Sequence, residues 1–277
     1  MSRLLPSRPS LLLGALVLIA AALPAIISAA SGPAGAAGPT LDHFECYAAT
    51  ATSSAVVPTP FPLTPPAVLL KNSFAPAGFL AGTGAVQLHC NPVKKQLPSG
   101  AVTNITNPTA HLVCWGLHPN PVALPSLVTL NNQFGKGALK PTAVRSLCVP
   151  SWKNPQAPSF PAATAPAGLD HFTCYSVVHP VGTPAFSPPA SVTLTDQFFT
   201  HATSVGVPNL MCAPTSKTVK PAVGGTKVVN PTHYLVCFVI PGSTAFASRG
   251  VFAKNQFGIG AVRVVRNTEL CVPSTLG

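Results

Sequence analysis

Three histidines stand at one fixed distance from a cysteine. His43, His111 and His171 precede Cys46, Cys114 and Cys174 by three residues, and before Cys237 the place is taken by Tyr234, with His233 displaced by one. Histidine exchanges a proton near neutral pH, so Asp42-His43 and Asp170-His171 invite a reading as acid-oriented bases. That chemistry needs a base, its orienting acid and a nucleophile in one place. Neighbours on a strand point to opposite faces, so neither Asp can orient the His beside it. The carboxylates of the chain are Asp42, Glu45, Asp170, Asp196 and Glu269. A glycosidase needs two in one cleft. Only Asp42 and Glu45 are close in sequence, and Thr173 stands where a second Glu45 would recur. Calcium would lack the oxygen ligands it wants. No G-x-S-x-G, phosphate-binding glycine loop or H-E-x-x-H is present, and no C-x-x-C pair suggests zinc. The expectation is a protein without a catalytic set, metal or cofactor.

The aromatics are better candidates. Tyr47, Trp115, Tyr175 and Phe238 each follow an opening cysteine. By strand parity Phe44 and Cys46 share one face, while His43, Glu45 and Tyr47 share the other. If the first face packs around a disulfide, the second shows an aromatic beside a polar group: His43/Tyr47, His111/Trp115, His171/Tyr175 and Tyr234/Phe238. Such a face could stack on a sugar or another small ligand. The competing reading is a strand buried on both faces.

These residues belong to a repeat, and a repeat sets the architecture first. Leu41-Asp42-His43-Phe44-Glu45-Cys46-Tyr47 returns as Leu169-Asp170-His171-Phe172-Thr173-Cys174-Tyr175, and Leu147-Cys148-Val149-Pro150-Ser151 returns as Leu270-Cys271-Val272-Pro273-Ser274. Each copy divides again, because Asn107-Pro108 to Cys114-Trp115 and Asn230-Pro231 to Cys237-Phe238 resemble the opening segment. Four units result. Each holds a Val six residues before a Phe: Val68/Phe74, Val128/Phe134, Val192/Phe198 and Val251/Phe257. Length varies mainly in one proline-rich loop per unit, as surface loops allow. Short runs of Val, Leu, Thr and aromatics bounded by Pro, Gly and Asn read as strands. Each unit has about three of them: the opening Cys segment, the Val-x-Leu segment and the closing Leu-Cys segment. Asn132-Gln133-Phe134-Gly135 and Asn255-Gln256-Phe257-Gly258 read as a strand end and turn. With 33 Pro and 21 Gly, long helices are implausible. The expected fold is all-β: two tandem disulfide-stapled β-sandwich or barrel domains, 41–151 and 169–274, joined by a proline-rich linker at 152–168.

Residues 1–37 read as a secretory signal. Arg3 and Arg8 precede an apolar run from Leu11 to Ile27, and small residues follow at 28–37. Eight Cys, all after that segment, read as disulfides of an exported chain. One local operation used four times pairs the opening and closing Cys of each unit: Cys46–Cys90, Cys114–Cys148, Cys174–Cys212 and Cys237–Cys271. The rival pairs Cys90 with Cys114 and Cys46 with Cys148, and the equivalents in the second copy. The net charge is +11, with charged residues only 8% of the chain. Weak attraction to an anionic cell-wall polymer or glycan is expected. Nucleic-acid binding is not, because the basic residues form no dense stripe.

The run Asp-His-Phe-x-Cys-Tyr at 42–47, Cys-Asn-Pro-Val-Lys at 90–94, Asn-Pro-x-x-His-Leu-x-Cys at 107–114, Asn-Gln-Phe-Gly at 132–135 and Leu-Cys-Val-Pro-Ser at 147–151 resembles an uncharacterised family of exported bacterial repeat domains. The second copy departs from it at Cys212-Ala213-Pro214 and at Tyr234. The resemblance implies a domain type and no activity. The functional expectation is a non-enzymatic adhesion or scaffold module, secreted or held at the cell envelope. The alternative is a small-ligand or glycan binder using Tyr47, Trp115, Tyr175 and Phe238 with His43, His111 and His171.

Overall fold

The computed structural model describes residues 41–54, 61, 66–220 and 225–277. The expected signal segment and part of the first proline-rich loop lie outside them. Every regular element among the described residues is a strand. In chain order these are β1 (Phe44–Thr52), β2 (Val68–Asn72), β3 (Ala75–Pro92), β4 (Lys94–Gln96), β5 (Val102–Thr103), β6 (His111–Pro119), β7 (Val128–Asn132) and β8 (Gly135–Asn154). The second half holds β9 (His171–Val178), β10 (Val192–Thr195), β11 (Thr200–Thr203), β12 (Pro208–Val219), β13 (Gly225–Thr226), β14 (Tyr234–Val239), β15 (Arg249–Asn255) and β16 (Gly258–Leu276).

Eight strands close a ring by antiparallel pairing. Strand β1 pairs β3, β3 pairs β6, β6 pairs β8 and β8 pairs β9. Strand β9 then pairs β12, β12 pairs β14, β14 pairs β16, and β16 returns to β1. Each unit supplies two ring strands, its opening Cys strand and its closing Cys strand. The three main strands expected per unit are therefore present, but the two copies are not separate tandem domains. They are two halves of one barrel. The physical reason lies in the edges: one copy offers four ring strands with two open edges, whereas four units reach eight strands, a size whose interior side chains just fill. The expected linker also starts later than residue 152. Trp152, Lys153 and Asn154 continue β8 and pair with Lys254, Ala253 and Phe252 of β15.

The cystines form as the unit repeat predicts: Cys46–Cys90, Cys114–Cys148, Cys174–Cys212 and Cys237–Cys271, with no free cysteine. Each joins residues directly opposite on paired ring strands, with Cα atoms 3.8–4.0 Å apart. All eight sulfurs face the lumen. There they pack with Phe44, Leu112, Phe172 and Leu235, two residues before each opening Cys and therefore on its face.

The outer face of the ring is covered by the remaining strands. The outer strand of each unit pairs with the tail of the unit two places on: β2 with the end of β12, β7 with the end of β16, β10 with β4, and β15 with the end of β8. Two apolar clusters fill the space beneath. One gathers Tyr47, Trp115, Leu147 and Val262, and the other Tyr175, Met211, Phe238 and Leu270. The Asn-Gln-Phe-Gly runs are strand ends and turns, as expected. Asn132 and Asn255 accept the amides of Phe134 and Phe257, and Gly135 and Gly258 take the positive φ that closes each turn (95° and 118°).

Candidate functional site

The seven residues proposed as a ligand face are all core. Tyr47, Trp115, Tyr175 and Phe238 have no exposed surface, and His43, His111 and His171 are buried. The outer strands lie over the face that a free strand would have left open. No sugar reaches these rings, which corrects the aromatic-face expectation in favour of strands buried on both sides. The histidines join neighbouring units. His43 contacts Gln133 of the next unit, and His171 contacts Gln256 of the next. Tyr234, in the same place, donates to Ser73 Oγ at 2.8 Å. Asp42 and Asp170 turn away from their histidines. Each receives two backbone amides at 2.7 Å, from Thr106 and Asn107 and from Val229 and Asn230.

His111 breaks this pattern, because the first unit carries polar residues where the others carry apolar ones. Flanking the closing Cys, His89 and Asn91 stand against Leu147 and Val149, Met211 and Ala213, and Leu270 and Val272. Likewise Glu45 stands against Val113, Thr173 and Val236, and Asp196 replaces the turn residues Asn72, Asn132 and Asn255. These exceptions meet. Asn91 Nδ2 donates to Asp196 Oδ2 at 2.6 Å. Its Oδ1 lies 2.6 Å from Lys153 Nζ and 3.0 Å from both His89 Nε2 and His111 Nδ1. Tyr47 donates to the same Asp196 oxygen at 2.8 Å. Beside them Glu45 Oε1 meets His201 Nε2 at 2.8 Å and accepts from Asn267 Nδ2 at 3.0 Å.

Burial dominates the electrostatics of this cluster. It lowers His89 to about 3, with the Lys153 charge adding to the effect. It lowers Lys153 to about 7, where attraction to Asp196 and repulsion from Arg249 act in opposite directions. It raises Glu45, against its bonds to His201 and Asn267. Lys153 also lies 4.2 Å from the centre of the Phe198 ring. Lys95 over Phe134 and Lys217 over Phe257 repeat that contact in two other units, so it is framework. Burial thus holds His89 and His111 neutral and Tyr47 protonated, and His89, Asn91 and Tyr47 have no exposed surface.

The opposite situation holds at one end of the barrel. Phe44, Leu112, Phe172 and Leu235 plug the lumen on one side of the cystine layer. On the other side, position two before each closing Cys is Leu88, Ser146, Leu210 and Glu269. Facing them across the ladders are the slim residues Ala48, Gly116 and Ser176, and Val239. A cleft of about 560 Å³ opens there, lined by Gln87, Leu88, Arg145, Ser146, Asn209 and Glu269 among others. Glu269 lies within 4.8 Å of the sulfurs of Cys46 and Cys271. Both sulfurs are in disulfides and offer no thiolate to a metal. Asn209 Nδ2 donates to Glu269 Oε1 at 2.8 Å. Burial raises the Glu269 carboxyl above the usual range, while the Asn209 bond and the charge of Arg145 oppose that rise.

Sequence reasoning missed both places, although the signal was present. Aligning the four units on their cysteines isolates Glu45, His89, Asn91, Ser146, Asp196 and Glu269 as departures from the framework. No protein-family model, curated protein or solved structure matches the chain.

Proposed function

We propose that the chain is an exported, non-enzymatic module of the cell envelope or extracellular space, acting as an adhesion or scaffold unit of the repeat family it resembles. The observation that carries this reading is the layer of four cystines inside one barrel, with no thiol left over. Disulfides form and persist in oxidising compartments. A ring stapled at every unit suits a protein that must last outside the cell. The titratable cluster around Asn91 supports a structural reading, because its residues are packed as core. The net charge of +11 supports loose electrostatic attachment to anionic polymers.

The test is made on full chain expressed in a host that exports it. The exported protein is checked for alkylatable thiols, then bound to isolated cell envelopes at low and high salt. Export without free thiols, and envelope binding that salt releases, is the expected result. Retention inside the cell with reduced cysteines would overturn the exported reading. Failure to bind at either salt would overturn the envelope role.

A further inference from the structure

We propose that the open end of the barrel binds a small zwitterion carrying a primary ammonium, of the α-amino-acid class, with the ammonium held deep by Glu269, Asn209 and Ser146 and the carboxylate at the rim on Arg145. This goes beyond the scaffold role and does not depend on it.

Three observations carry the inference. The first is the departure from the repeat. The position two before the closing Cys points into the lumen, where a barrel needs apolar side chains, and units one and three supply Leu88 and Leu210. Units two and four place Ser146 and Glu269 there, 1% and 8% exposed. A buried carboxylate costs several kcal/mol unless something compensates it, on the order given by ion-transfer estimates. The framework shows that an apolar residue fits at this position.

The second is unmet hydrogen bonding. Ser146 Oγ, Asn209 Oδ1 and Glu269 Oε2 are buried with no partner, and all three residues line the same cleft. The bond from Asn209 Nδ2 to Glu269 fixes the amide so that its oxygen is the free atom. Buried polar atoms are nearly always bonded. Here the demand is for donors: one carboxylate oxygen, one amide oxygen and one hydroxyl that can accept. A primary ammonium has three N–H donors and no acceptor, and it brings the positive charge the carboxylate lacks. A divalent cation fits less well, because the cleft offers it a single carboxylate.

The third is the rim. Arg145 is exposed, lines the same cleft and acts electrostatically on Glu269. A bare amine would meet this guanidinium as a like charge. A zwitterion meets it with a carboxylate, to which a guanidinium binds in a bidentate fork. The cleft, at about 560 Å³, lies within the range of small-molecule sites, and the mouth of a barrel is a frequent place for them. All three closing strands that carry the acceptors, β8, β12 and β16, are stapled by cystines, so the site is rigid before ligand arrives.

The experiment titrates the purified full chain, under non-reducing conditions, with glycine, methylammonium chloride, sodium acetate and glucose, read by calorimetry and by amide chemical shifts. Glycine is expected to bind saturably at one site, methylammonium about tenfold more weakly and acetate weaker still. Glu269→Gln keeps the side-chain shape and is expected to reduce glycine affinity by about tenfold or more. Arg145→Gln, at an exposed position, is expected to bring glycine down to the level of methylammonium and leave methylammonium itself no weaker. The wild-type and Arg145→Gln titrations decide the matter even if Glu269→Gln does not fold. Absence of saturable binding by glycine and methylammonium would overturn the proposal, leaving the three acceptors to water. Preferential binding of glucose would also overturn it, as would glycine affinity unchanged in Arg145→Gln.

Discussion

Asn91 joins His89, His111, Lys153 and Asp196 through one side-chain amide. Removing it takes the shared acceptor from the buried nitrogens of His89, His111 and Lys153, while Asp196 keeps the Tyr47 hydroxyl and the amides of Phe198 and Phe199. Asn91→Ala is therefore expected to lower stability by about 2–4 kcal/mol, measured by urea unfolding without reductant. Asn132→Ala removes one turn bond and one bond to Ser274, and is expected to cost about half as much. Equal losses would mean that Asn91 is an ordinary framework residue. The histidines also set the acid behaviour. His43, His89 and His171 are held neutral down to about 3, chiefly by burial, while an unfolded histidine titrates near 6.5. Between those values the unfolded chain binds more protons, so stability present above about 6.5 is lost as the pH falls toward 3. Glu45 and Glu269, raised by burial, act in the opposite direction and soften the loss. The expected result is a melting temperature that declines steadily on acidification below about 6.5. A flat profile from there to pH 4 would contradict the burial of these rings.

At the level of elements, the repeated object is a pair of ring strands closed by one cystine, with a third strand laid over the outside. The ladders place each Cys opposite its partner, so the fold brings the sulfurs together before they are oxidised. Each cystine closes a loop of 34–44 residues, and loops of that length correspond to about 4 kcal/mol of stabilisation in the chain-entropy account. Cys114→Ala with Cys148→Ala is expected to lower the melting temperature markedly yet leave the three other cystines intact, as peptide mapping would verify. The sulfurs of adjacent units come close, 3.6 Å between Cys46 and Cys271 and 3.7 Å between Cys148 and Cys174. A single Cys114→Ala change leaves Cys148 as a free thiol beside the Cys174–Cys212 bond. It is expected to produce exchanged cystines, where the double variant does not.

Across the whole molecule, the two copies depend on each other. Ladders β8–β9 and β1–β16 cross between them, and all four outer strands pair with a tail of the opposite copy. Separate chains covering 38–158 and 159–277 are expected to lack cooperative unfolding when alone, and to recover it when refolded together as a one-to-one complex. Light scattering and thermal melts would report this. Independent cooperative folding of either half would restore the tandem-domain expectation.

What residue types and spacing determined by themselves was local and repetitive. The alternation around each Cys assigned Phe44 and Cys46 to one face and Tyr47 to the other, and the fourfold recurrence selected the cystine pairing. These follow from strand periodicity and from one unit being copied. Three matters were decided by tertiary structure alone. Whether four units close one ring or two depends on which edges meet, and strand edges carry backbone groups that are the same in every sequence. Whether Tyr47 and Trp115 see solvent depends on strands laid over them from elsewhere in the chain. And Asn91, Lys153 and Asp196, far apart in sequence, become a cluster only when ring closure and the crossing of outer strands bring the two copies together.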